Sequence, residues 1–225
     1  MGVEDKDFWM LNRRDLLTLS VGLVAAMSLG ATGAGLCQAA ETKFPEGKCG
    51  GEKGMEKRVL VTYASKYGST GGVADAIAKE LCSRDVAADV LLIQNVRNIA
   101  SYRAVVVGSA IYMGKWMSEA ADFIKENRDV LRQVPVAYFL VCMSLAQPTE
   151  KKRAEVLSYT DPILKAVPEI KPVGIGTFAG ALDYKNLSWI YKKVLKSKET
   201  PEGDFRDWNA IRAWARDPVL PKFTG

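Results

Sequence analysis

The 225-residue chain contains no histidine. That absence excludes imidazole general bases, Ser-His-Asp and Cys-His nucleophile systems, and histidine metal sites. Cysteine is scarce. Cys37, Cys49, Cys82 and Cys142 stand singly, with no C-x-x-C spacing, so no iron–sulfur or zinc centre is expected. Cys82 and Cys142 read as packing residues, and Cys49, in a polar stretch, as the exposed thiol. Negative charge is in mild deficit: 31 Lys and Arg stand against 26 Asp and Glu, a net charge of +5. A basic surface of this kind suits solubility, an acidic partner or an anionic membrane. No nucleic-acid partner is expected.

What is present centres on residues 59–72. An apolar, β-branched run, Val59-Leu60-Val61-Thr62-Tyr63-Ala64, stops at Ser65-Lys66-Tyr67-Gly68-Ser69-Thr70-Gly71-Gly72. Val73, Ala74, Ile77, Ala78 and Leu81 then recur at helical spacing. Strand, loop and helix N-terminus thus fall within about fifteen residues. Free N–H groups and the positive end of the helix dipole favour an anion there. Ser65, Ser69 and Thr70 add hydroxyls, and Gly68, Gly71 and Gly72 permit close backbone approach. The loop has neither the Gly-Lys-Ser/Thr ending of a triphosphate loop nor a G-x-G-x-x-G turn. A hydroxyl-rich loop without a required cation suits a monophosphate. The plainer alternative is a βα unit in which Thr70 only caps the helix.

The run Tyr63-x-Ser65-x-x-Gly68-x-Thr70-x-x-x-Ala74-x-x-Ile77 resembles the FMN-phosphate signature of flavodoxins, with Thr62 as the one departure. Gly108-Ser109-Ala110-Ile111-Tyr112-Met113-Gly114-Lys115-Trp116 resembles the second flavin loop of the branch that includes menaquinone-dependent protoporphyrinogen oxidase. Phe178-Ala179-Gly180 and Asp207-Trp208 agree with that branch. The resemblance spans about residues 57–216. It implies FMN as cofactor, held by Ser65, Lys66, Tyr67, Gly68, Ser69, Thr70, Ala110, Ile111, Tyr112, Gly114, Trp116 and Ser144.

Three segments follow from the pattern. Residues 1–39 resemble a twin-arginine export signal: Asn12-Arg13-Arg14-Asp15 precedes an apolar run to Leu36, and Cys37-Gln38-Ala39 offers a cleavage site. A retained membrane anchor is the alternative reading, and a lipid on Cys37 is disfavoured by the bulky Leu36. Residues 40–57 read as a flexible, glycine-rich linker without stable structure. Residues 58–225 form the flavodoxin-like domain, with no second domain boundary.

Within that domain strands are expected near 58–64, 86–93, 104–109, 135–142 and 172–178. Helices are expected near 70–83, 116–131, 149–167, 186–196 and 207–216. The near-continuous apolar runs at 104–109 and 135–142 suit parallel strands buried on both faces. The alternation gives an α/β, doubly wound, five-stranded parallel sheet. The resemblance implies strand order 2-1-3-4-5. Ligands then sit beyond the carboxyl ends of the strands, where the loops 64–70, 109–116 and 143–148 converge. Tyr112 and Trp116 are the candidate stacking rings, with Trp116 alternatively an anchor of the following helix. Lys115 could attract an acidic group. The helix at 186–196, rich in lysine and aromatics, reads either as a sheet-covering helix or as a contact with an anionic membrane.

Three functions fit. The first is an exported FMN redox protein passing electrons between donor and acceptor proteins or a quinone. The second is a protoporphyrinogen oxidase-type dehydrogenase using a quinone. The third is a scaffold that has lost FMN, against which the intact Ser65, Gly68, Ser69 and Thr70 speak. Export through the twin-arginine route suits a protein that folds around its cofactor first. Replacing Arg13 and Arg14 together with Lys is expected to abolish the processed form outside the cytoplasm while the cytoplasmic protein still folds. Cell fractionation with immunoblotting checks this.

Overall fold

The apolar run at the start of the domain forms β2 (Val59–Ala64), every residue of it buried. In a computed structural model that describes residues 45–50, 58–184, 192 and 201–224, its period-two alternation divides two cores. Val59, Val61 and Tyr63 face one core and Leu60 the other. β4 (Ala104–Tyr112) and β6 (Val136–Val141) divide the same way: Val106 and Phe139 go to the first core, Val105, Val107, Tyr138 and Leu140 to the second. This double burial is why these strands read as continuous apolar runs.

β2 pairs in parallel with β3 (Ala88–Leu92) on one side and β4 on the other. β4 pairs in parallel with β6, and β6 with β7 (Ile175–Phe178). The five parallel strands therefore stand in the expected 2-1-3-4-5 order. Thr62, the departure from the family pattern, is fully buried, and its hydroxyl donates to the Leu91 carbonyl at 3.0 Å. The hydroxyl is thereby satisfied between two strands.

α1 (Ser69–Cys82) covers the first face through Val73, Ala74, Ile77, Ala78 and Leu81. α6 (Trp208–Trp214) joins it there, followed by one π turn over Ala215–Val219 and the short α7 (Leu220–Thr224). Pro218, which has no N–H to donate, lies in the π turn. The opposite face carries α2 (Ser118–Glu126), α3 (Arg128–Leu131), α4 (Glu150–Ser158) and α5 (Asp161–Ala166).

Two expected helices are broken. The one over 116–131 divides at Asn127, whose side-chain amide donates to the Phe123 carbonyl at 2.8 Å and competes with the helix ladder. The one over 149–167 divides at Tyr159 and Thr160, ahead of Pro162 in the first turn of α5. The expected helix over 186–196 lies outside the described residues apart from Lys192, as do residues 1–44.

The larger correction concerns the linker. Residues 40–57 are not uniformly without structure: Gly47–Cys49 form β1, which pairs antiparallel with β3 and extends the sheet. Four attachments fix this strap. Tyr63 donates its hydroxyl to the Pro45 carbonyl at 2.9 Å. The Glu46 carboxylate accepts from the Leu92 N–H at 2.8 Å and the Asn95 amide at 2.9 Å. Arg58, 3 % exposed, donates to the Cys49 carbonyl at 2.9 Å while its Nε holds the fully buried Asp89 at 2.8 Å. Tyr102 completes that group by donating to the second Asp89 oxygen at 2.9 Å. Finally, Cys49 is joined to Cys82 in a disulfide, with Cα atoms 6.1 Å apart. Cys49 is therefore not the exposed thiol, and Cys82 is more than packing. Among the described residues the free cysteine is Cys142, which is buried.

A disulfide spanning 33 residues restricts the unfolded chain and contributes about 2–4 kcal/mol. Cys49→Ala is expected to lower the melting temperature by on the order of 10 °C. A thermal melt beside the wild type, with and without reductant, checks this; reductant should leave the variant unmoved.

Candidate functional site

β2 ends at Ala64, beside Ser109 of β4, at the carboxyl edge of the sheet. The chain then turns sharply. Ser65 Oγ accepts the Gly68 N–H at 2.9 Å, and Gly68 has φ +95°, a conformation that favours glycine. Gly68 is also the residue that caps α1, without a side-chain bond, and its carbonyl accepts the Gly71 N–H at 3.0 Å. Thr70 is consequently inside the first turn and is not the cap.

Thr70 is fully buried, and its Oγ1 has no hydrogen-bond partner among the described residues. A buried hydroxyl without a partner is costly. This one lies in the first turn of a helix whose leading N–H groups lack intrahelical acceptors. The two features together fit an anion at that point.

The second loop is a two-residue hairpin. β4 returns into β5 (Lys115–Trp116), with Tyr112 opposite Lys115 and Ile111 opposite Trp116. Met113 and Gly114 at the tip have φ +52° and +73°, the twist that tight hairpins prefer. Ser109, buried, donates its hydroxyl to the Ala110 carbonyl at 2.9 Å and accepts the Met117 N–H at 3.0 Å, which fastens the hairpin to the sheet.

The register separates the two candidate rings. Trp116 is buried with Ile111 packed beside it in the second core, and it meets Tyr138 edge-on at 5.6 Å between ring centroids. Buried in this way, Trp116 fits the anchoring of the following helix better than the stacking role. Tyr112 is half-buried at the loop, where the Lys66 ammonium lies 3.9 Å from its ring centroid and 5.8 Å from that of Tyr67. Lys66 thus joins the first loop to the second. Lys115 is exposed, and Ala110 is half-buried at the end of β4.

The third loop is a 3-10 turn, Met143–Ala146, with Ser144 exposed. A Cβ at Gly180 would lie 3.3 Å from Ser69 Oγ and 3.4 Å from Met143 Sδ. The third loop and the end of β7 therefore both close on the phosphate loop.

One residue escaped sequence reasoning. β8 (Ala181–Leu182) and β9 (Gly203–Asp204) pair antiparallel, and the Phe205 N–H donates to the Gly180 carbonyl at 3.1 Å. Arg206 follows. Its Nε and Nη2 hold both Asp204 oxygens at 2.8 and 2.6 Å, and Nη1 reaches the Ser69 carbonyl at 3.4 Å. The guanidinium carbon lies 4.4 Å from the Trp208 ring centroid. Arg206 holds the Asp204 carboxyl below its ordinary range by hydrogen bonding. Asp207 accepts the Asn209 and Ala210 N–H groups at 3.0 Å, capping α6. The only sequence signal for Arg206 was its place directly before Asp207-Trp208.

Fold and site together define a doubly wound α/β protein with an open, hydroxyl-lined helix turn beyond its first parallel strand, which suits a monophosphate, and an aromatic hairpin beside it. A family model of the flavodoxin domain matches residues 60–207, more than half of the chain. The chain belongs to the flavodoxin-domain family and is an FMN-binding redox protein. Its residues fit the FMN phosphate: Ser65, Gly68, Ser69 and Thr70 surround the open turn of α1. It is 27 % identical over 172 residues to protoporphyrinogen IX dehydrogenase (quinone) of Leishmania major, covering 71 % of this chain and 74 % of that protein. Against the protein of that name from Escherichia coli strain K12 it is 26 % identical over 171 residues, covering 71 % and 93 %. Among solved structures, a flavodoxin from the domain Archaea is 17 % identical, covers 75 % of this chain and 99 % of its own, and has a TM-score of 0.46.

Thr70→Val keeps the side-chain volume and removes the orphaned hydroxyl. Without FMN the variant is expected to be at least as stable as wild type, because a buried polar group without a partner has been deleted. FMN affinity should fall by roughly 10- to 150-fold, the equivalent of about 1.5–3 kcal/mol for a hydrogen bond to a charged group. Thermal melting and FMN titration on the same preparation check the two opposite signs.

Proposed function

We propose that this FMN protein takes electron pairs from a reduced organic donor and delivers them to a quinone, outside the cytoplasm. The observation that carries the cofactor half is the buried Thr70 hydroxyl in the open turn of α1, unpartnered among the described residues, while the Lys66–Tyr112 pair joins the loop before it to the hairpin. FMN, when bound, supplies two-electron chemistry. The chain's own residues would bind it: Ser65, Gly68, Ser69 and Thr70 would take the phosphate, and Tyr112, one face of which the Lys66 ammonium covers at 3.9 Å from the ring centroid, would bring an aromatic ring and a positive charge together at the hairpin. A cation there favours the negative charge that reduction brings. Overall the donor loses two electrons and two protons and the quinone gains them.

Support for the quinone comes from the relatives, two of which are named as quinone-dependent dehydrogenases. The same names support a reduced tetrapyrrole as the specific donor. Support for the compartment comes from the Arg13-Arg14 segment and from the Cys49–Cys82 disulfide, a bond that persists in oxidising surroundings.

Purified protein with chemically reduced FMN, mixed anaerobically with a soluble naphthoquinone, is expected to regain the oxidised flavin spectrum much faster than in buffer alone. Equal rates with and without the quinone would remove the quinone from the proposal. Protoporphyrinogen IX offered as donor to the oxidised protein tests the tetrapyrrole through the fluorescence of its product.

A further inference from the structure

We infer that Arg206 is a phosphate-recognition residue: its guanidinium, carried to the first turn of α1 by the β8–β9 pair, adds a positive charge at that turn, whereas the loop's own Lys66 lies over the Tyr112 ring. The inference rests on the FMN reading of the same site.

The geometry is specific. Ser69 and Gly72 belong to the first turn of α1, and Arg206 touches both. Nη1 lies 3.4 Å from the Ser69 carbonyl, and a Cβ at Gly72 would run into the same nitrogen. Thr70, whose buried Oγ1 lacks a partner, sits between these two contacts in sequence. The guanidinium is held from three sides: the bidentate Asp204 carboxylate, the Trp208 ring and the α1 turn. Its side chain is only 15 % exposed. Asp204 occupies Nε and Nη2, so the arm turned toward α1 is Nη1. An arginine fixed in this way loses little further freedom when it meets an anion.

The Asp204 carboxylate offsets part of the charge, but it is 43 % exposed on the outer side of the pair, where water screens it. The Arg206 side chain is better shielded and faces the helix. The guanidinium is thus the member of the pair nearer the first turn, on the same side as the positive end of the α1 dipole. Gly72 completes the arrangement, because any side chain there would push the guanidinium away.

A phosphate-recognition role and a merely structural one separate on a single ratio. FMN and riboflavin share the ring and the ribityl chain and differ in the phosphate. Both ligands are titrated into wild type and Arg206→Met protein, and the ratio of the riboflavin to the FMN dissociation constant is compared. Arg206→Met is expected to weaken FMN by about 10-fold, the lower end for a charge-assisted hydrogen bond, and to leave riboflavin within about twofold. The salt dependence of FMN binding should flatten in the variant. Arg206→Lys should restore part of the ratio. If FMN and riboflavin weaken equally, or if neither changes, Arg206 only braces the helix and the inference is overturned. Should Arg206→Met not fold, Arg206→Gln gives the same readout. Wild-type protein that binds neither ligand would overturn the FMN reading itself, an outcome distinct from an unchanged ratio.

Discussion

The burial of one face of α1 against β2 is the contact on which the rest of the structure depends. Val73, Ala74, Ile77, Ala78 and Leu81 lock the helix to the strand, and both of its ends acquire a task from that position. At the N-terminus, the first turn opens at the sheet edge with Thr70 buried and its hydroxyl unpartnered. At the C-terminus, Cys82 reaches Cys49 and ties down the strap that precedes the domain. Along the side, Gly72 admits Arg206 and Trp208 from the far end of the chain. A helix displaced by one turn would lose all of these at once. Interiors packed to this density do not deform continuously.

The buried polar groups sort into two kinds. Arg58, Asp89 and Tyr102 are buried together and satisfy one another and two backbone carbonyls. Removing any one member leaves the others uncompensated, so the group behaves as a clamp at the amino end of the sheet. At the carboxyl end the pattern reverses, and the Thr70 hydroxyl has no partner among the described residues. Trp116 Nε1 and the Tyr138 hydroxyl are likewise unpartnered, and burial pushes the Tyr138 hydroxyl well above its ordinary range. Trp116, on the return strand of the hairpin that carries Tyr112, packs edge-on against Tyr138, so the hairpin rests on aromatic packing and on the Ser109 bonds.

The bond Cys49–Cys82 fixes an edge that β1 already covers by pairing with β3. Covering the edge of a sheet removes a row of unpaired N–H and C=O groups. The disulfide and the Arg58 clamp both act on Cys49, so pairing, charge and covalent bond converge on one residue.

The strand-loop-helix unit at 59–82 and the parallel sheet were legible in the sequence because their causes are local. Period-two and period-3.6 burial write themselves into neighbouring residues, and a turn with φ above zero calls for Gly68 at that point. The breaks at Asn127 and at Tyr159–Thr160, ahead of Pro162, are also local, but they were outweighed by the apolar periodicity on either side. Other features depend on contacts between distant segments. Arg206 meets Ser69 across 137 residues, and no spacing encodes that approach. Cys49 and Cys82 look like strangers until β1 pairs with β3. Between Tyr112 and Trp116 the choice turned on register alone. The two-residue turn at Met113 and Gly114 sets Trp116 opposite Ile111, toward the core, and Tyr112 opposite Lys115. The sequence by itself determined which elements form and where an anion could be held. Only the tertiary structure decided which side chains gather around that turn, because side-chain neighbourhood across a sheet is a property of packing and not of any one stretch of chain.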